Sequence, residues 1–457
     1  MIEPHHDGRR HGRLRHQQRN LPIGLRLVLG LALLVALGTS ALMLPGVATR
    51  PLALNEALFT ATSALSVTGL SIIVPANDLT LIGQLILLLL IQIGGVGFMV
   101  FAVIVFRLLG RSISLTDRLA LTDSFGLLSP RAIVQLAQRV LITVLLIELS
   151  GALILWFLWE PHLGEQALLY AIFHAVSAFC NAGFDLFNGL PHYPRGVPND
   201  TPTLAVLGTL IFLGGLGIPV LAEIGTYYSD RRFSLHTRLT LGVVLVLVVL
   251  GMIGIFIGEG QPGMLLADES AQRRLVLALF QSISARTAGF AGFAQFEELS
   301  PASQILLCAL MFIGCAPASM GGGITTGTFV VLTLALWSYA RRLPTVRVAG
   351  RSIAVGTVRK AAAVLTISLI VVTLATWLIL ITHPTATLNQ ALFEVISAFA
   401  TCGLSLGLTS ELNLFGQAVV MVMMFWGRLG ALTLVAALAQ PQAIQRVNYP
   451  EEQVLIG

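Results

Sequence analysis

The sequence predicts an all-α membrane protein in which four repeats of helix, re-entrant pore loop and helix (M1–P–M2) surround one pore with pseudo-fourfold symmetry. Of its 457 residues, 56% are hydrophobic and only 11% are charged, whereas soluble domains carry about 25% charged residues. A short motif, Phe-x-x-x-Ser-Ala followed by a glycine, occurs four times at near-constant spacing, which indicates equivalent structural units. The four copies occupy residues 59–70, 173–184, 280–290 and 393–404.

Eight apolar runs have the length that a membrane span requires, about 20 residues for a hydrocarbon core of about 30 Å. They lie at residues 21–44, 79–106, 132–159, 204–227, 239–257, 304–340, 361–381 and 415–439. The sixth run is too long and too rich in glycine to be one plain helix. Each motif has only about ten residues before its glycine, too few to cross the bilayer. These segments are therefore expected to be re-entrant half-helices buried in protein or lining water.

The basic residues predict the orientation. By our assignment, 21 of the 27 Lys and Arg residues lie on one side, in the N-terminal tail, in three connecting segments and at Arg446 in the C-terminal tail. That side is cytoplasmic by the positive-inside rule, so both termini of this multi-pass chain are expected in the cytoplasm. The net charge of +5 is thus a signal of topology and indicates no nucleic-acid partner. The basic region and apolar stretch of the first span both exceed those of a cleavable signal, so we expect an uncleaved helix.

The repeats divide the chain into six segments. Residues 1–20 form a basic cytoplasmic tail, 21–110 repeat 1, 128–228 repeat 2, 235–340 repeat 3, 355–440 repeat 4 and 441–457 a C-terminal cytoplasmic tail. Repeats 1 and 4 also share the entry to the short helix, where Asn55 and Asn389 are predicted N-caps. The four cysteines lie in apolar segments without metal-ligand spacing, so neither a zinc site nor a disulfide framework is expected.

The motif glycines fit the chemistry of a potassium-selective filter. Such a filter replaces the hydration shell of the ion with backbone carbonyl oxygens, and the negative ends of pore helices add to the potential. Glycine allows the backbone conformations that point carbonyls at an axis. No charged side chain occurs at the glycine or in the two residues before it. The predicted ion-binding residues are Val67, Thr68, Gly69, Asn181, Ala182, Gly183, Thr287, Ala288, Gly289, Thr401, Cys402 and Gly403.

The second helices carry a matching signature of small residues. Small residues allow helices to pack closely, and this explains most of the glycines in the signature. It begins at Gly94, Gly214, Gly314 and Gly427. Only repeat 3 continues into a glycine-rich segment, residues 314–327, and only repeat 4 has an arginine, Arg428. An arginine inside an apolar helix costs roughly 2.5–3.5 kcal/mol, so it should face protein or water.

Pro317 and three consecutive glycines disfavour a stable helix, so segment 314–327 is expected to be an irregular intramembrane loop. Two simpler alternatives stay open: an arginine that helix-end carbonyls satisfy, and a helix that is merely kinked. The small polar residues Ser319, Thr325 and Thr326 are expected to meet water or the arginine.

Four other polar residues have less decisive interpretations. Arg286, inside the third motif, is expected to clamp its loop, since a cation beside the filter would repel potassium. Glu148 and Glu394 are expected to satisfy helix ends or loops. Asp185 either raises the cation concentration at the pore mouth or is an ordinary external cap.

Two other functional classes fit less well. Secondary transporters of other folds often show two inverted repeats with acidic residues at the membrane midplane, whereas this chain has four repeats and intramembrane arginines. An intramembrane enzyme needs a nucleophile–base pair or a metal constellation, and the sequence has no HExxH, GxSxG, P-loop or GxGxxG motif. The chain is therefore not expected to be an enzyme.

The segments SALSVTGL, GQLILLLLIQIGGVGFM, SAFCNAGFD, SARTAGF and YPEEQVLIG resemble the KtrB-like potassium-translocating subunits of the Trk/Ktr/HKT superfamily, over nearly the whole chain from about residue 21. The resemblance implies that Gly69, Gly183, Gly289 and Gly403 form a potassium site in a bacterial inner (plasma) membrane. In related plant transporters a serine at the first of these positions accompanies sodium transport, so Gly69 favours potassium.

The resemblance also implies a gate. In that family the arginine at the position of Arg428 lies below the filter and faces a flexible intramembrane loop that obstructs the pore, so segment 314–327 is the expected intramembrane gating loop. The predicted gate residues are Gly321, Gly322, Gly323, Thr325, Thr326 and Arg428.

The resemblance also implies a homodimer in membrane lipid and a cytosolic ring of nucleotide-binding (RCK) subunits beneath it. The chain itself is expected to carry no cofactor, and ATP or ADP would bind only on that partner. Sodium as an activator stays open, as does a sodium-permeable or coupled cation symporter of the same fold.

Overall fold

A computed structural model describes residues 23–96, 133–189, 193, 196–293 and 295–430. The predicted tails 1–20 and 441–457, the basic segment from residue 107 to 132 and the C-terminal YPEEQVLIG motif lie outside the described residues. Fifteen α-helices and one two-stranded antiparallel hairpin are present in the part that is described.

The order long helix, short helix, glycine turn and second helix occurs four times. The first set contains α1 Ile23–Leu42, α2 Leu54–Ser66, α3 Pro75–Asp78 and α4 Leu81–Val96. The second contains α5 Ile133–Leu163, α6 Ala167–Phe179, α7 Thr201–Gly215 and α8 Ile218–Asp230. The third contains α9 Leu235–Gly258, α10 Ala271–Ser284, α11 Pro301–Ile313 and α12 Thr326–Ala340, followed by β1 Arg347–Val348 and β2 Arg351–Ser352. The fourth contains α13 Val355–Thr382, α14 Leu388–Ala400 and α15 Leu414–Leu429.

Four described segments are long and apolar enough to cross a membrane: Leu25–Leu42, Val140–Phe179, Leu235–Gly258 and Val355–Thr382. They cover most or all of the first helix of each set, and the second segment also includes α6. Large apolar side chains stay exposed along them, for example Leu33 at 61% and Ile370 at 57%. Exposed apolar side chains along a helix of this length fit contact with lipid. The molecule is therefore an integral membrane protein. The second helices, by contrast, are short or broken.

The break in the second set differs from the prediction of one continuous span over residues 204–227. Helices α7 and α8 meet at 104° across Leu216 and Gly217. Gly217 has φ 87° and ψ 147°, a region open almost only to glycine. Pro219 in the first turn of α8 cannot donate the hydrogen bond that would continue α7. The small-residue signature that begins at Gly214, which the sequence analysis interpreted as a helix-packing feature, therefore also contains the residue at which the helix breaks.

The sixth predicted run is split as well. Helix α11 ends at Ile313, α12 begins at Thr326, and residues 314–325 between them form an irregular segment, named here the intramembrane loop. Gly314 has φ 67° and Gly323 has φ 83°, conformations that do not continue a helix.

The predicted N-caps Asn55 and Asn389 were wrong by two residues. Helix α14 begins with a capping box in which the Thr387 hydroxyl accepts from the Gln390 backbone N–H and the Gln390 side chain reaches back. Ala53 takes the same position before α2, with Glu56 accepting from its N–H at 2.9 Å. An acidic or amide residue three positions after the cap fixes the helix start.

The four sets contact one another in a closed ring. The second helix of each set packs on the short helix of the next: α4 on α6, α7 on α10, α11 on α14, and α15 back on α2. A hydrogen bond of 3.0 Å from Asn55 Nδ2 to Gln417 Oε1 joins the last set to the first. The ends of the four short helices therefore meet at the centre of the molecule.

Glycines allow three of the second helices to lie directly on the ends of the short helices of their own sets. A Cβ atom added at Gly94 would lie 2.4 Å from the Leu65 carbonyl oxygen, one at Gly214 1.9 Å from that of Phe179, and one at Gly427 2.0 Å from that of Phe399. All three carbonyls belong to the residue four positions before the motif glycine. The expected role of these glycines in close packing is therefore what the structure shows.

We predict that Gly94→Ala destabilises the protein by about 1–3 kcal/mol, because the methyl group must displace a backbone carbonyl in a packed interior. Thermal unfolding of the detergent-solubilised protein measures this. Gly242→Ala is the matched control, since Gly242 lies within α9 with no described atom within 4 Å of an added Cβ. Equal melting temperatures for the two variants would contradict the packing argument.

Candidate functional site

The four motif loops, the turns that follow α2, α6, α10 and α14, share one backbone conformation. The glycines have φ of 90°, 68°, 78° and 96° in chain order. The residues two positions earlier also have positive φ: Val67, Asn181, Thr287 and Thr401. Three of those four are β-branched, and a β-branched residue at positive φ costs of order 1–3 kcal/mol. Strain of this size in three of the four loops, with the same positive φ in the fourth, marks them as a functional candidate.

The loops meet in a ring in which each glycine faces a backbone carbonyl of the next loop. A Cβ added at Gly69 would lie 2.3 Å from the Ala182 oxygen, and one at Gly183 2.6 Å from the Ala288 oxygen. One at Gly289 would lie 2.2 Å from the Cys402 oxygen, and one at Gly403 2.2 Å from the Thr68 oxygen, which closes the ring. The structure thus brings all twelve predicted ion-binding residues together.

The four glycines open into one vestibule. This cavity has a volume of about 620 Å³, and Gly69, Gly183, Gly289 and Gly403 all line it, together with Asp185 and Glu297. The two residues before each glycine are buried, whereas the glycines are partly exposed. Only the glycine end of each motif loop therefore faces the vestibule.

The serine of each Ser-Ala pair anchors its own motif loop, a role that the sequence analysis did not assign. Ser63 and Ser397 Oγ accept from the N–H groups of Gly69 and Gly403, both at 3.0 Å. Ser177 and Ser284 instead donate to the carbonyls of Phe184 and Phe290, at 2.8 Å and 2.6 Å. Their recurrence five or six residues before each motif glycine was the available signal, since a buried hydroxyl needs a partner.

Three polar side chains lie behind the ring. The Asn181 amide is 3.4 Å from Thr287 Oγ1 and 3.6 Å from Cys315 Sγ. With its oxygen and nitrogen exchanged, the amide also donates to the carbonyls of Phe179, Ala178 and Ile211, at 3.3 Å, 3.1 Å and 3.2 Å. Asn181 therefore fixes the second motif loop against α7. Thr401 Oγ1 has no hydrogen-bond partner among the described residues.

The intramembrane loop lies against the motif loops on the side away from the vestibule. A Cβ at Gly321 would lie 1.8 Å from Thr287 Oγ1, and one at Gly322 would lie 2.8 Å from Thr401 Oγ1. Gly322 also accepts from the Cys315 N–H at 3.3 Å. Of the other predicted gate residues, Gly323 packs on Gly314 and Thr325 Oγ1 is 3.4 Å from Thr328 Oγ1. Thr326 begins α12 and donates its N–H to the Cys315 carbonyl at 2.9 Å.

Arg428 contacts both the intramembrane loop and α4. Its Nη1 donates to the Met320 carbonyl at 2.5 Å, and its Nη2 donates to the carbonyls of Gly94 and Gly95 in α4, the latter at 3.1 Å. The guanidinium therefore bonds to backbone oxygens of the first and third sets and joins both to the fourth set, to which Arg428 belongs. The contact with Met320 agrees with the loop-facing interpretation. Met320, rather than the predicted Ser319, Thr325 or Thr326, supplies the contact.

The other intramembrane charges have structural partners. Arg286, 5% exposed, donates from Nη2 to the Gly314 carbonyl at 2.9 Å and so ties the third motif loop to the start of the intramembrane loop. Glu394 accepts from Ser405 Oγ at 2.7 Å and from Thr409 Oγ1. Glu148 accepts from Gln92 Nε2 at 3.0 Å.

Asp185 has the contacts of an external cap. Its carboxylate accepts from the N–H groups of Phe187 and Val197, at 2.6 Å and 2.8 Å, and lies 3.0 Å from His174 Nε2. Three partners hold the carboxylate in the loop that follows the second motif. This geometry favours the cap over the alternative of an ion-attracting group, although the residue does line the vestibule.

Comparisons with known proteins agree with this architecture. The family model "TrkH: Cation transport protein" matches residues 32–445. The Ktr system potassium uptake protein B of Bacillus subtilis (strain 168) is 36% identical over 434 residues, covering 94% of this chain and 96% of that protein. The potassium/sodium uptake protein NtpJ of Enterococcus hirae is 33% identical over 454 residues, covering 97% and 99%.

A solved structure shows the same fold. The crystal structure of the potassium transporter TrkH from Vibrio parahaemolyticus matches with a TM-score of 0.73 at 20% identity, over 93% of this chain and 86% of that one. The resemblance drawn from the sequence motifs is confirmed, and the chain belongs to the TrkH family of cation transport proteins.

Proposed function

We propose that this protein takes up potassium through a single-chain pore whose selectivity filter is the ring of four motif loops. The observation that carries the proposal is the closed cycle of contacts in which each motif glycine faces a carbonyl of the next loop. The four sets of helices are then M1–P–M2 repeats related by a pseudo-fourfold axis through that ring. Relatives named as potassium uptake proteins, at 34–36% identity over most of the chain, support the choice of ion.

The electrostatics of the ring suit a monovalent cation. The predicted filter positions carry no charged side chain, so the ligands would be carbonyl oxygens from Val67-Thr68-Gly69 and its three counterparts. The short helices α2, α6, α10 and α14 end immediately before these loops. The carbonyl end of a helix carries partial negative charge, and four such ends stabilise a cation at the axis. Carbonyl dipoles and helix ends bind weakly enough for the ion to leave again.

The vestibule is the external entrance in this proposal. Asp185 and Glu297 lie in its lining, whereas the exposed hairpin of β1 and β2 carries Arg347 and Arg351. By the positive-inside rule the hairpin lies in the cytoplasm. Both termini then lie there too, in the bacterial inner membrane.

The intramembrane loop is the gate. Its glycines Gly321 and Gly322 lie against Thr287 and Thr401. In the proposed orientation this contact is on the cytoplasmic side of the ring, where an ion leaving the filter would pass. Arg428 holds the loop there through the Met320 carbonyl. An opening movement has to break this charge-assisted hydrogen bond, which is of the stronger kind.

Regulation would come from a second protein. The Bacillus subtilis relative is named as part of a Ktr system, and a homodimer with a cytosolic RCK-type, nucleotide-binding subunit is the arrangement we propose. ATP or ADP would bind on that subunit. The exposed basic segment from Arg341 to Lys360, which has no acidic residue, is a suitable contact surface.

A sodium-dependent or sodium-permeable transporter of the same fold is the second candidate. It is favoured by the relative from Enterococcus hirae, whose name gives both potassium and sodium. The glycine at position 69, rather than a serine, favours potassium.

Gly69→Ser tests the filter. The serine must displace the Ala182 carbonyl and adopt φ near +90°, so we expect the preference for potassium over sodium to fall about tenfold, equivalent to about 1.4 kcal/mol. Rubidium uptake with sodium competition, in cells lacking other potassium uptake systems, measures it.

Gly46→Ser is the control, because Gly46 has φ +83° with no described atom within 4 Å of an added Cβ. It carries the same backbone strain outside the ring. Uptake that does not require the protein, or equal selectivity in the two variants, would overturn the proposed function.

Deletion of Ala318–Thr325 tests the gate. Because the remaining chain no longer lies across the pore, we expect the maximal transport rate to rise about tenfold, as for a barrier lowered by about 1.4 kcal/mol, with the ion preference unchanged. Measuring the transport rate of the purified protein in liposomes excludes any contribution from a regulatory subunit. Deletion of the exposed Pro344–Arg351, also eight residues, is the control. A folded Ala318–Thr325 deletion with an unchanged rate would exclude the gate.

A further inference from the structure

The break between α7 and α8 creates unpaired backbone groups in the interior of a membrane protein. The last carbonyls of α7 and the first N–H groups of α8 have no partner within their own helices. Lipid cannot supply hydrogen bonds, and an unsatisfied backbone group there costs several kcal/mol. Another part of the chain, or water, must therefore pair with both helix ends.

The intramembrane loop supplies the partners. Ala316 donates its N–H to the Gly215 carbonyl at 3.1 Å, and Met320 donates to the Gly214 carbonyl at 3.3 Å. In the opposite direction, the Ile218 N–H at the start of α8 donates to the Ala318 carbonyl at 3.0 Å. Three reciprocal backbone hydrogen bonds thus join the second set to a loop of the third set about 100 residues later in the chain.

Gly217 permits this contact in two ways. Its φ of 87° and ψ of 147° produce the sharp turn, in a region that other residues rarely enter. A Cβ at this position would also lie 2.7 Å from the Pro317 carbonyl oxygen. Any side chain at position 217 would therefore push the intramembrane loop away from the break.

The loop is held at other points as well. Cys315 Sγ donates to the Arg286 carbonyl at 2.9 Å and lies 3.1 Å from Thr287 Oγ1, which fixes the start of the loop behind the third motif. The Met320 peptide is held on both sides, since its N–H bonds to Gly214 and its carbonyl accepts from Arg428. Between Cys315 and the contact with Arg428, residues 316–320 of the loop are held by their hydrogen bonds to the α7–α8 break.

We propose that the break between α7 and α8 is the docking surface that keeps the gate closed, with Gly217 as its positioning residue. The inference rests on the proposed gate and extends it to a second element. When the loop leaves, Gly214, Gly215 and Ile218 lose their partners, so opening requires α7 and α8 to take up water or to change their angle. The second repeat, which contributes neither the loop nor the arginine, thereby controls the closed state.

Gly217→Ala is the test, measured on the full-length protein in liposomes. We expect the maximal potassium transport rate to rise about fivefold, the effect of losing about one hydrogen bond on a two-state equilibrium, while the half-saturating concentration and the potassium-to-sodium preference stay unchanged. Hydrogen exchange of the Ala316 and Met320 amides is the second readout and should accelerate by a similar factor.

Gly430→Ala is the matched control. Gly430 ends α15 with φ 79° and ψ 141°, nearly the conformation of Gly217, and no described atom lies within 4 Å of an added Cβ. It therefore carries the same backbone strain without touching the intramembrane loop. An equal rise in rate for both variants would attribute the effect to strain and overturn the docking surface.

A second variant works in the opposite direction and does not disturb the break. Ala318 has φ 57°, which glycine adopts more readily, so Ala318→Gly should slow the exchange of the Met320 amide and lower the transport rate. If Gly217→Ala does not fold, unchanged exchange in Ala318→Gly still refutes the proposal.

Combining Gly217→Ala with the Ala318–Thr325 deletion separates the two claims. If the break acts through the loop, the double variant should transport at the rate of the deletion alone. A faster deletion variant together with an unaffected Gly217→Ala refutes the docking surface and leaves the gate intact. A deletion without effect refutes the gate, and amide exchange then decides by itself whether the break holds the loop.

Discussion

Four backbone turns meet at the centre of this protein so closely that no side chain fits between them, and the rest of the structure depends on that contact. A Cβ on any of the four motif glycines would lie 2.2–2.6 Å from the carbonyl of the next loop. The contact also holds Val67, Thr287 and Thr401 at positive φ, which their β-branched side chains oppose. Such turns persist only when their surroundings over-determine them. The four serine anchors and the second helices packed on each short helix supply that constraint.

The same need for close approach explains the breaks in the second helices. Glycines that let a helix lie on a carbonyl also weaken that helix, and α7, α11 and α15 all end within or beside their small-residue signature. Broken helices in a membrane leave backbone groups that must be paired. In this protein the end of α7 is paired by the intramembrane loop, and Arg428 donates to the Gly94 and Gly95 carbonyls of α4. In the proposed function, selection of the ion and control of its passage are thus consequences of one packing problem, solved differently in each set of helices.

The sequence was sufficient to predict the motif loops, because each has a glycine five or six residues after the serine of a Ser-Ala pair. It also predicted the irregular segment that interrupts the sixth apolar run. The contacts of Arg428 could not be predicted, because its acceptors are the backbone carbonyls of Gly94, Gly95 and Met320. Every residue has a backbone carbonyl, so the residue types in the sequence do not distinguish these acceptors from others. The bend at Gly217 was missed because glycines that pack helices and glycines that break them look alike in sequence. Asn55 and Asn389 were misassigned because the glutamate and glutamine that follow define an earlier helix start.

The central claim is that a cation occupies the axis of the four motif loops, coordinated by backbone carbonyls. The most direct measurement is an anomalous difference map from crystals of the protein grown with rubidium or thallium in place of potassium. We predict a peak on the axis of the ring formed by Gly69, Gly183, Gly289 and Gly403, lost when sodium replaces the heavier ion. A map with no peak within the ring, and with the ion bound instead to acidic side chains elsewhere in the membrane region, would contradict the account.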